Sequence, residues 1–569
     1  MTFFDNTKNT SKNEPFLRII AIGGTASVNT NLTVYEYGDD IIVVDCGIGF
    51  PDDEQPGVDV IIPDFSYLIE HKNKVRALFL THGHADHIDA VPYFLQELNV
   101  PVYAGKLVQG LIKEKLKEKR FKSVQDAAFN LISPETPEVR VGAFSVSAFR
   151  LNHSVPSTVG FAIKTPQGLV MHMADYKIDW TPVLDKPVDM ARIAQLAGQG
   201  VLCLLSDCLG STSEGFSKSE RSLNDTFIEL FERAEGRQVL VTTISSNISR
   251  MYQIITAAVK HGRKVVFSGR SIEQGATVAR GLGYLKFADS VFVPEKDAKR
   301  YLQKDLVYIV AGCYGQPESS LGRLSRNENK DIELEDNALV IFSADPNPPG
   351  SDIAVERLQT ALTLMGAEVL YSEIQENLHV SGHGTKGDLI TMASVVRPKY
   401  FIPIGGTVTK MRAYKNMIGT LGFNRDTVFE LLAGESVVFS NGMAQKGDRV
   451  DVKDVYLEMG SADSVSPVVL RDRQVLSDDG VFVVVIPLTG KTKEPVGKVE
   501  IITRGFVYVK ESQALIGRSR DVINKALDKF RGDFGNWGVV KSTVEKEIER
   551  FLFRETGRRP LIIVSSLIV

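Results

Sequence analysis

The sequence predicts an α/β protein of several domains, and three observations carry that expectation. At 569 residues the chain exceeds what one hydrophobic core organises. Residues 16–222 alternate β-rich runs with turns and short amphipathic segments. Residues 223–370 then settle into a plain strand–helix alternation, the pattern of a parallel sheet with crossover helices.

Taken in order, residues 1–15 form a polar N-terminal tail. Strands are expected at "FLRIIAIGG" (16–24), "IIVVDCG" (41–47), "VRALFLTHG" (75–83), "FSVSAFRLNH" (144–153), "GLVMHMAD" (168–175) and "VLCLLSDC" (201–208). Several end at a polar residue able to point into a common site. The middle domain contributes "VLVTTI", "KVVFSGR", "LVYIVAGC", "ALVIFSA" and "EVLYSE", with helices between them. Residues 371–450 return to site-like chemistry in "ENLHVSGHGTKGD" (376–388), followed by the strand "KYFIPIGG" (399–406). A linker is expected over 451–467, which includes the acidic "EMGSADSVSP". Residues 468–569 read as a small α+β unit with strands "VFVVVIPL" and "GFVYV", helices near 513–530 and 538–554, and a final strand.

Hydrophobic residues make up 43% and charged residues 24%, the balance of a folded globular protein rather than a disordered chain. The start, "MTFFDNTKNTSKNEPF", lacks the basic-then-apolar order of a secretion signal. The longest apolar runs fall far short of the roughly 20 residues of a bilayer span. A cytoplasmic protein with no membrane partner is the expectation. The four cysteines, Cys46, Cys203, Cys208 and Cys313, sit apart in apolar segments and read as reduced, buried thiols. A net charge of −4 neither demands nor excludes a nucleic-acid partner, because phosphate binding needs only a local basic groove. The run "IKEKLKEKRFK" (112–122) interleaves Glu with Lys and reads as a solvated helix face.

The strongest functional signal is "FLTHGHADHIDA" (79–90), which brings His82, His84, Asp86 and His87 close together. His82 and His84 lie two apart at a strand end and project to the same side of an extended segment. One short loop can therefore serve two neighbouring metals. Catalytic metal sites need further protein ligands and an open position. His153 ends a strand in "FRLNHSVPSTVG", and Asp175 ends "VMHMAD" with a carboxylate able to bridge two ions. His172 lies three residues before Asp175, on the opposite strand face, and reads as structural. His71 and His261 sit in charged surface contexts.

The string HxHxDH, then a lone His, then a strand-end Asp, resembles the ligand order of the metallo-β-lactamase fold. The inserted α/β domain and the later "SGHG" resemble the β-CASP nucleases. Within that group the chain resembles ribonuclease J over nearly its whole length. The resemblance runs through "VDCGIGFPDDE", "VIIPDFSYL", "LTHGHADHIDAVPY", "LLSDC", "GQPESSL", "SADPNPPG", "HVSGHGTKGDL", "RPKYFIPI", "VLRDRQVLSDDG", "ITRGFVYVKES" and "FLFRETGRRP". It implies a metallo-β-lactamase αββα sandwich with an inserted β-CASP parallel α/β domain and a small α+β C-terminal domain.

It also implies a cytoplasmic ribonuclease of RNA processing and decay. Such an enzyme trims RNA 5′ to 3′, prefers a 5′ monophosphate and also cuts internally. Motif by motif, the resemblance assigns His82, His84 and His153 to one zinc and Asp86 and His87 to a second, with Asp175 between them. Manganese or magnesium are the alternative ions. Asp207 in "LLSDC" matches the acidic residue that opens the β-CASP module, and His383 matches the histidine near the scissile phosphate. Asp86, His383 and Asp207 are therefore the candidate catalytic residues. His379, Ser381, Gly382, His383, Gly384 and Thr385 are candidates for holding the RNA and its 5′ phosphate, the small residues Ser381, Gly382, Gly384 and Thr385 offering backbone amides and hydroxyls without bulk. The implied assembly is a homodimer or tetramer, with a ribonuclease J paralogue as a further candidate partner.

Three departures from the family pattern bear on activity. Gly405 stands where the family usually has the remaining histidine ligand of the second metal, and Thr407 where it has glutamate. No histidine follows His383, so a register shift cannot restore the ligand. "GGTASVNTN" (23–31) replaces GGxGEIGxN, putting Ala26, Ser27 and Asn29 at the metal end. Ser249 stands where a histidine is frequent. The leading expectation is an active metal-dependent ribonuclease. The alternative is a weakened or inactive RNA-binding subunit that pairs with an active paralogue. Hydrolysis of a small thioester or lactam would leave the β-CASP insert unexplained.

Overall fold

The computed structural model describes residues 15–52, 54–344, 351–458, 464–490, 494–507, 512–531 and 534–569. It divides into two compact units, one drawn from residues up to Phe50 with Ile61–Val455, the other from Pro51–Val60 with Tyr456–Val569.

The first unit contains a two-sheet sandwich. An eight-stranded sheet has at its centre Leu17–Gly23, Leu32–Tyr37, Asp40–Val44 and Val75–Phe79. A six-stranded sheet runs in the order Tyr400–Ile404, Val201–Asp207, Gly168–His172, Val159–Thr165, Phe144–Arg150 and Val139–Val141. Ile19, Tyr35, Ile42 and Phe79 of one sheet pack against Phe161, Val170, Leu205 and Ile402 of the other in one buried core. The helices Met190–Ala197, Lys386–Val396 and Val408–Thr420 cover the outer face of the six-stranded sheet.

Two parallel registers in this sandwich assemble a common edge. Gly168–His172, Val201–Asp207 and Tyr400–Ile404 are consecutive parallel strands, so the residues at or just beyond their ends, Asp175, Asp207 and Gly405, emerge together. In the facing sheet Asp40–Val44 and Val75–Phe79 are also parallel, which brings Asp45 beside the His82 loop.

The inserted domain is a five-stranded, all-parallel sheet in the order Lys264–Ser268, Leu306–Val310, Val239–Thr242, Leu339–Phe342 and Glu368–Leu370. Separate apolar cores on its two faces bury these strands, which explains their continuous Val/Ile/Leu runs. In the second unit the strand Val481–Leu488 pairs with Glu500–Arg504 and Leu561–Ile568. Its alternate residues Phe482, Val484, Ile486 and Leu488 are buried in the core shared with the helices Gln513–Asp528 and Trp537–Thr556.

The expected fold class is borne out, with local corrections. The strand expected at "GFVYV" is absent over 505–507, where Gly505 adopts φ +70° and ends the extended run Glu500–Arg504. The helix Pro467–Asp478, opened by a Ser466 cap on the Val469 amide, was not foreseen. Within the expected linker, Val455–Leu457 forms a short strand, while residues 459–463 lie outside the described residues. So do 1–14 of the expected tail, 345–350 of "SADPNPPG" and 508–511 of the "GFVYV" region. All four cysteines are buried and free. No described helix is long and apolar enough to cross a membrane.

Candidate metal centre

The strand Val75–Phe79 runs out into Thr81–His84, and one helical turn, Ala85–Ile88, follows at once. The extended part turns His82 and His84 inward, and the turn reverses the chain so that Asp86 and His87 return to the same centre. His82, His84, His153 and Asp175 form one group whose ligand atoms lie within 4.8 Å of one another. Asp86, His87 and Asp175 form a second, and Asp175, Asp207 and His383 a third. Asp175 belongs to all three.

Hydrogen bonds orient each imidazole. The Thr81 hydroxyl donates to Asp45 at 2.8 Å, so it can only accept from His82 Nδ1 at 2.9 Å. That leaves His82 Nε2 buried without a partner, 3.9 Å from Asp175 Oδ2. His153 Nδ1 donates to the Gly382 carbonyl at 2.7 Å, turning Nε2 inward. Ser154 Oγ holds His84 Nε2 at 2.9 Å, and His84 Nδ1 lies 3.0 Å from His153 Nε2. His87 Nδ1 donates to Asp45 at 2.8 Å, and its Nε2 faces Asp175 at 3.2 Å and Asp86 at 3.5 Å. Every ring is thus anchored through one nitrogen and presents the other to the centre, the arrangement that metal-ligating histidines require. Gly382 is needed for this close approach: a Cβ there would fall 2.7 Å from the His153 ring.

The electrostatics fit a cation. Burial, reinforced by neighbouring imidazoles, holds His82 and His153 well below the ordinary histidine range. Burial likewise takes His84 down to about 3, so these rings keep their lone pairs at neutral pH. Burial pushes Asp86 up to about 6. Burial would lower His87 too, but the Asp175, Asp86 and Asp45 carboxylates raise it above its usual value. The protein without ions therefore places a proton where a divalent ion would relieve the same carboxylates. The orphaned His82 nitrogen, the inward lone pairs and the crowded carboxylates all fit the metal ions that the fold implies.

The second position is less complete. Gly405 adopts φ +66° and donates its amide to Gly24 at 2.8 Å. A Cβ built there would lie 3.1 Å from Asp175 Oδ1 and 3.6 Å from Asp207 Oδ1. The position is therefore aimed at the carboxylates and supplies no ligand. The loop of Ala26, Ser27 and Asn29 lies beside it, with Ala26 bridged to Thr407. Asn31 closes the loop by donating to the Asp86 carbonyl at 3.0 Å. Ser249 lies on the helix Ile248–Lys260 of the inserted domain.

His383 Nδ1 pairs with Asp207 at 2.7 Å, and its Nε2 lies 3.9 Å from Asp175. Burial opposes its charge, yet Asp207 and Asp175 raise it to about 9. The structure narrows the surrounding anion candidates. The Gly384 amide donates to the Tyr176 carbonyl at 2.6 Å. The Thr385 amide donates to Asp388 and its hydroxyl to the Gly215 carbonyl, forming a helix cap. His383 and the exposed Ser381 keep polar groups facing outward, whereas His379 is half-buried two residues upstream of Ser381. His172 is held by Tyr35 at 2.8 Å and joins none of the ligand groups.

Sequence reasoning missed Asp45, Ser154 and a buried ionic cluster behind the site. Lys177 donates to the Ser381 carbonyl at 3.2 Å and to Glu220 at 3.3 Å. Glu220 also accepts from Arg250 at 2.9 Å, and Arg250 reaches the Ser343 and Leu378 carbonyls. Asp45 was discoverable as another polar strand end. The cluster had no local signal.

Comparisons with known proteins agree with this architecture. Residues 27–181 match the model of the metallo-beta-lactamase superfamily, residues 235–362 the ribonuclease J beta-CASP domain, and residues 468–568 the ribonuclease J C-terminal domain. Ribonuclease J2 of Bacillus subtilis (strain 168) is 35% identical over 557 residues, covering 97% of this chain and 98% of its own. Ribonuclease J 1 of Streptococcus pyogenes serotype M3 is 33% identical over 546 residues, with 96% of each chain covered. A crystal structure of a protein of unknown function from Enterococcus faecalis V583 superposes with TM-score 0.51 at 16% identity, covering 74% of this chain and 100% of that one, a likeness of fold.

Proposed function

The chain belongs to the ribonuclease J family and is a metal-dependent ribonuclease of the β-CASP type, and from that premise we propose how it works. It trims RNA from the 5′ end, prefers a 5′ monophosphate and also cuts internally. It acts in the cytoplasm on RNA in processing and decay, as a homodimer or tetramer. Zinc is the ion that the imidazole-rich first position favours, with manganese or magnesium able to serve the oxygen-richer second. The observation that carries this reading is the convergence of two ligand groups on Asp175 beside the His383–Asp207 pair.

His82, His84, His153 and Asp175 would hold one ion, and Asp86, His87 and Asp175 the other. Bound there, divalent ions activate water and offset charge on phosphoryl oxygens. The protein's own residues set the rest. Asp45 and Thr81 fix His87 and His82, so neither ring reorganises as charge develops on the substrate. Asp207 holds His383 through Nδ1, leaving Nε2–H to donate to a phosphate oxygen or the leaving 3′ oxygen. Ser381 adds a hydroxyl on the same rim.

Gly405 favours a second reading, a low-activity subunit paired with an active paralogue, because it removes a side chain aimed at Asp175 and Asp207. One experiment separates the two. RNA labelled at its 3′ end, with either a 5′ monophosphate or a 5′ triphosphate, is digested across titrations of zinc, manganese and magnesium. Cleavage that favours the monophosphate and disappears in His84→Ala supports the enzyme. RNA binding without cleavage at any ion concentration supports the subunit.

A further inference from the structure

The strand ends that carry Asp175 and Asp207 continue into residues 176–182 and 208–220, and these two stretches are fastened together beside His383. Asp179 accepts from the Thr181 amide at 2.9 Å and from the Glu220 amide at 3.0 Å. Thr181 Oγ1 donates to Ser219 Oγ at 2.8 Å, and Ser219 Oγ donates to the Thr181 carbonyl at 2.8 Å. Both stretches are also tied to the His383 loop. The Thr385 hydroxyl and the Gly387 amide donate to the Gly215 carbonyl at 2.6 and 2.7 Å, and Lys177 donates to the Ser381 carbonyl at 3.2 Å. The backbone of both stretches is thus pinned to the His383 loop.

On this frame stand Trp180, 62% exposed, and Phe216, 70% exposed. No other aromatic side chain among the described residues keeps more than half of its surface in water. Phe216 rests against the start of the helix Lys386–Val396, where a Cβ on Gly387 would come within 2.9 Å of its ring. Single exposed apolar residues are ordinary on protein surfaces. Two such rings on adjoining, pinned segments beside the phosphodiester site need another account. Lys218, two residues from Phe216, and Lys386, the first residue of that helix, add cationic side chains, engaged by Asn377 at 3.2 Å and Glu214 at 2.8 Å.

We propose that Trp180 and Phe216 form a stacking platform for nucleobases of the single-stranded RNA whose phosphodiester lies at His383. This rests on the ribonuclease reading and extends it to a binding subsite. Aromatic rings next to lysines are the standard means of holding single-stranded nucleic acid, and stacking tolerates any base because every base has a π face. That suits an enzyme that must advance along RNA without regard to sequence. Pinned backbones also lower the ordering cost of each stacked base.

The chain has two tryptophans, so Trp537→Phe leaves Trp180 as a single fluorescent reporter. The full-length, ion-loaded Trp537→Phe protein is mixed rapidly with a 5′-monophosphorylated RNA oligomer or an abasic oligomer of equal length. Trp180 emission should be quenched by the base-bearing strand and not by the abasic one. Trp180→Ala and Phe216→Ala should each weaken RNA binding about tenfold, with the loss falling on KM more than on kcat and largely rescued by Trp180→Phe. The platform is overturned if the protein binds and cuts RNA while Trp180 emission ignores the bases and both alanine variants keep the wild-type KM. If the protein neither binds nor cuts RNA, the ribonuclease reading itself falls, and the platform with it.

Discussion

The cluster around Glu220 and the centre around Asp175 are both buried and both charged, yet they are built on opposite principles. Around Glu220 the charges are matched inside the protein: Lys177 and Arg250 hold both carboxylate oxygens, and of these three side chains only Arg250 Nε lacks a hydrogen-bond partner. Around Asp175 the imidazoles of His82, His84 and His153 turn lone pairs inward, the carboxylates of Asp86 and Asp207 crowd the same space, and His82 Nε2 has no hydrogen-bond partner. A buried charge is costly unless compensated. The closed cluster therefore serves architecture, whereas the open one is completed from outside. Buried polarity alone does not mark a functional site; buried imidazoles and carboxylates whose ligand atoms converge on one point do.

The largest expected effect tests the closed side. Glu220→Ala strands Lys177 and Arg250 in the interior and should lower the unfolding free energy by about 3–5 kcal/mol, read by denaturant titration. A variant as stable as wild type would break the distinction. On the open side, ion at about 100 times its dissociation constant should stabilise the wild type by about 2.7 kcal/mol. Thermal denaturation with and without zinc should show this rise for the wild type and almost none for His84→Ala.

Within the open centre the two halves differ, and Gly405→His sharpens that difference. The imidazole would reach the carboxylates that flank Gly405, tightening the weaker ion in a calorimetric titration. Its left-handed backbone should cost about 1–2 kcal/mol of stability in the same variant. The smallest effect is a pH dependence. Burial would push Glu220 up, but Arg250 and Lys177 hold it below its ordinary value. A depressed carboxyl contributes fully above the ordinary glutamate value of about 4.3 and loses that contribution as pH falls through its folded value. The stability gap between wild type and Glu220→Gln should therefore narrow only in acid, as followed by urea titrations at stepped pH.

Local chemistry was legible in the sequence, and distant chemistry was not. His82, His84, Asp86 and His87 declare themselves because one loop carries them, and Asp175 and Asp207 because polar residues at the ends of apolar strands need a reason. The parallel domain was readable from its continuous apolar runs. Lys177, Glu220 and Arg250 were invisible because their partnership spans separations of 43 and 30 residues and each alone resembles a solvated side chain. Asp45 acts through His87, 42 residues away, so its spacing carries no motif. The strands Leu32–Tyr37 and Val159–Thr165 end in no site-like residue that draws attention to them, and the end of Glu500–Arg504 depends on the positive φ of Gly505, which no local pattern announces.

The most direct test of the central claim is a calorimetric metal titration of the ion-free full-length protein, with single-turnover RNA cleavage read at each step. The expectation is two unequal binding events, the weaker lost in Asp86→Ala and tightened in Gly405→His, with cleavage rising along the weaker one. Full cleavage at a single bound ion, unchanged in both variants, would contradict it.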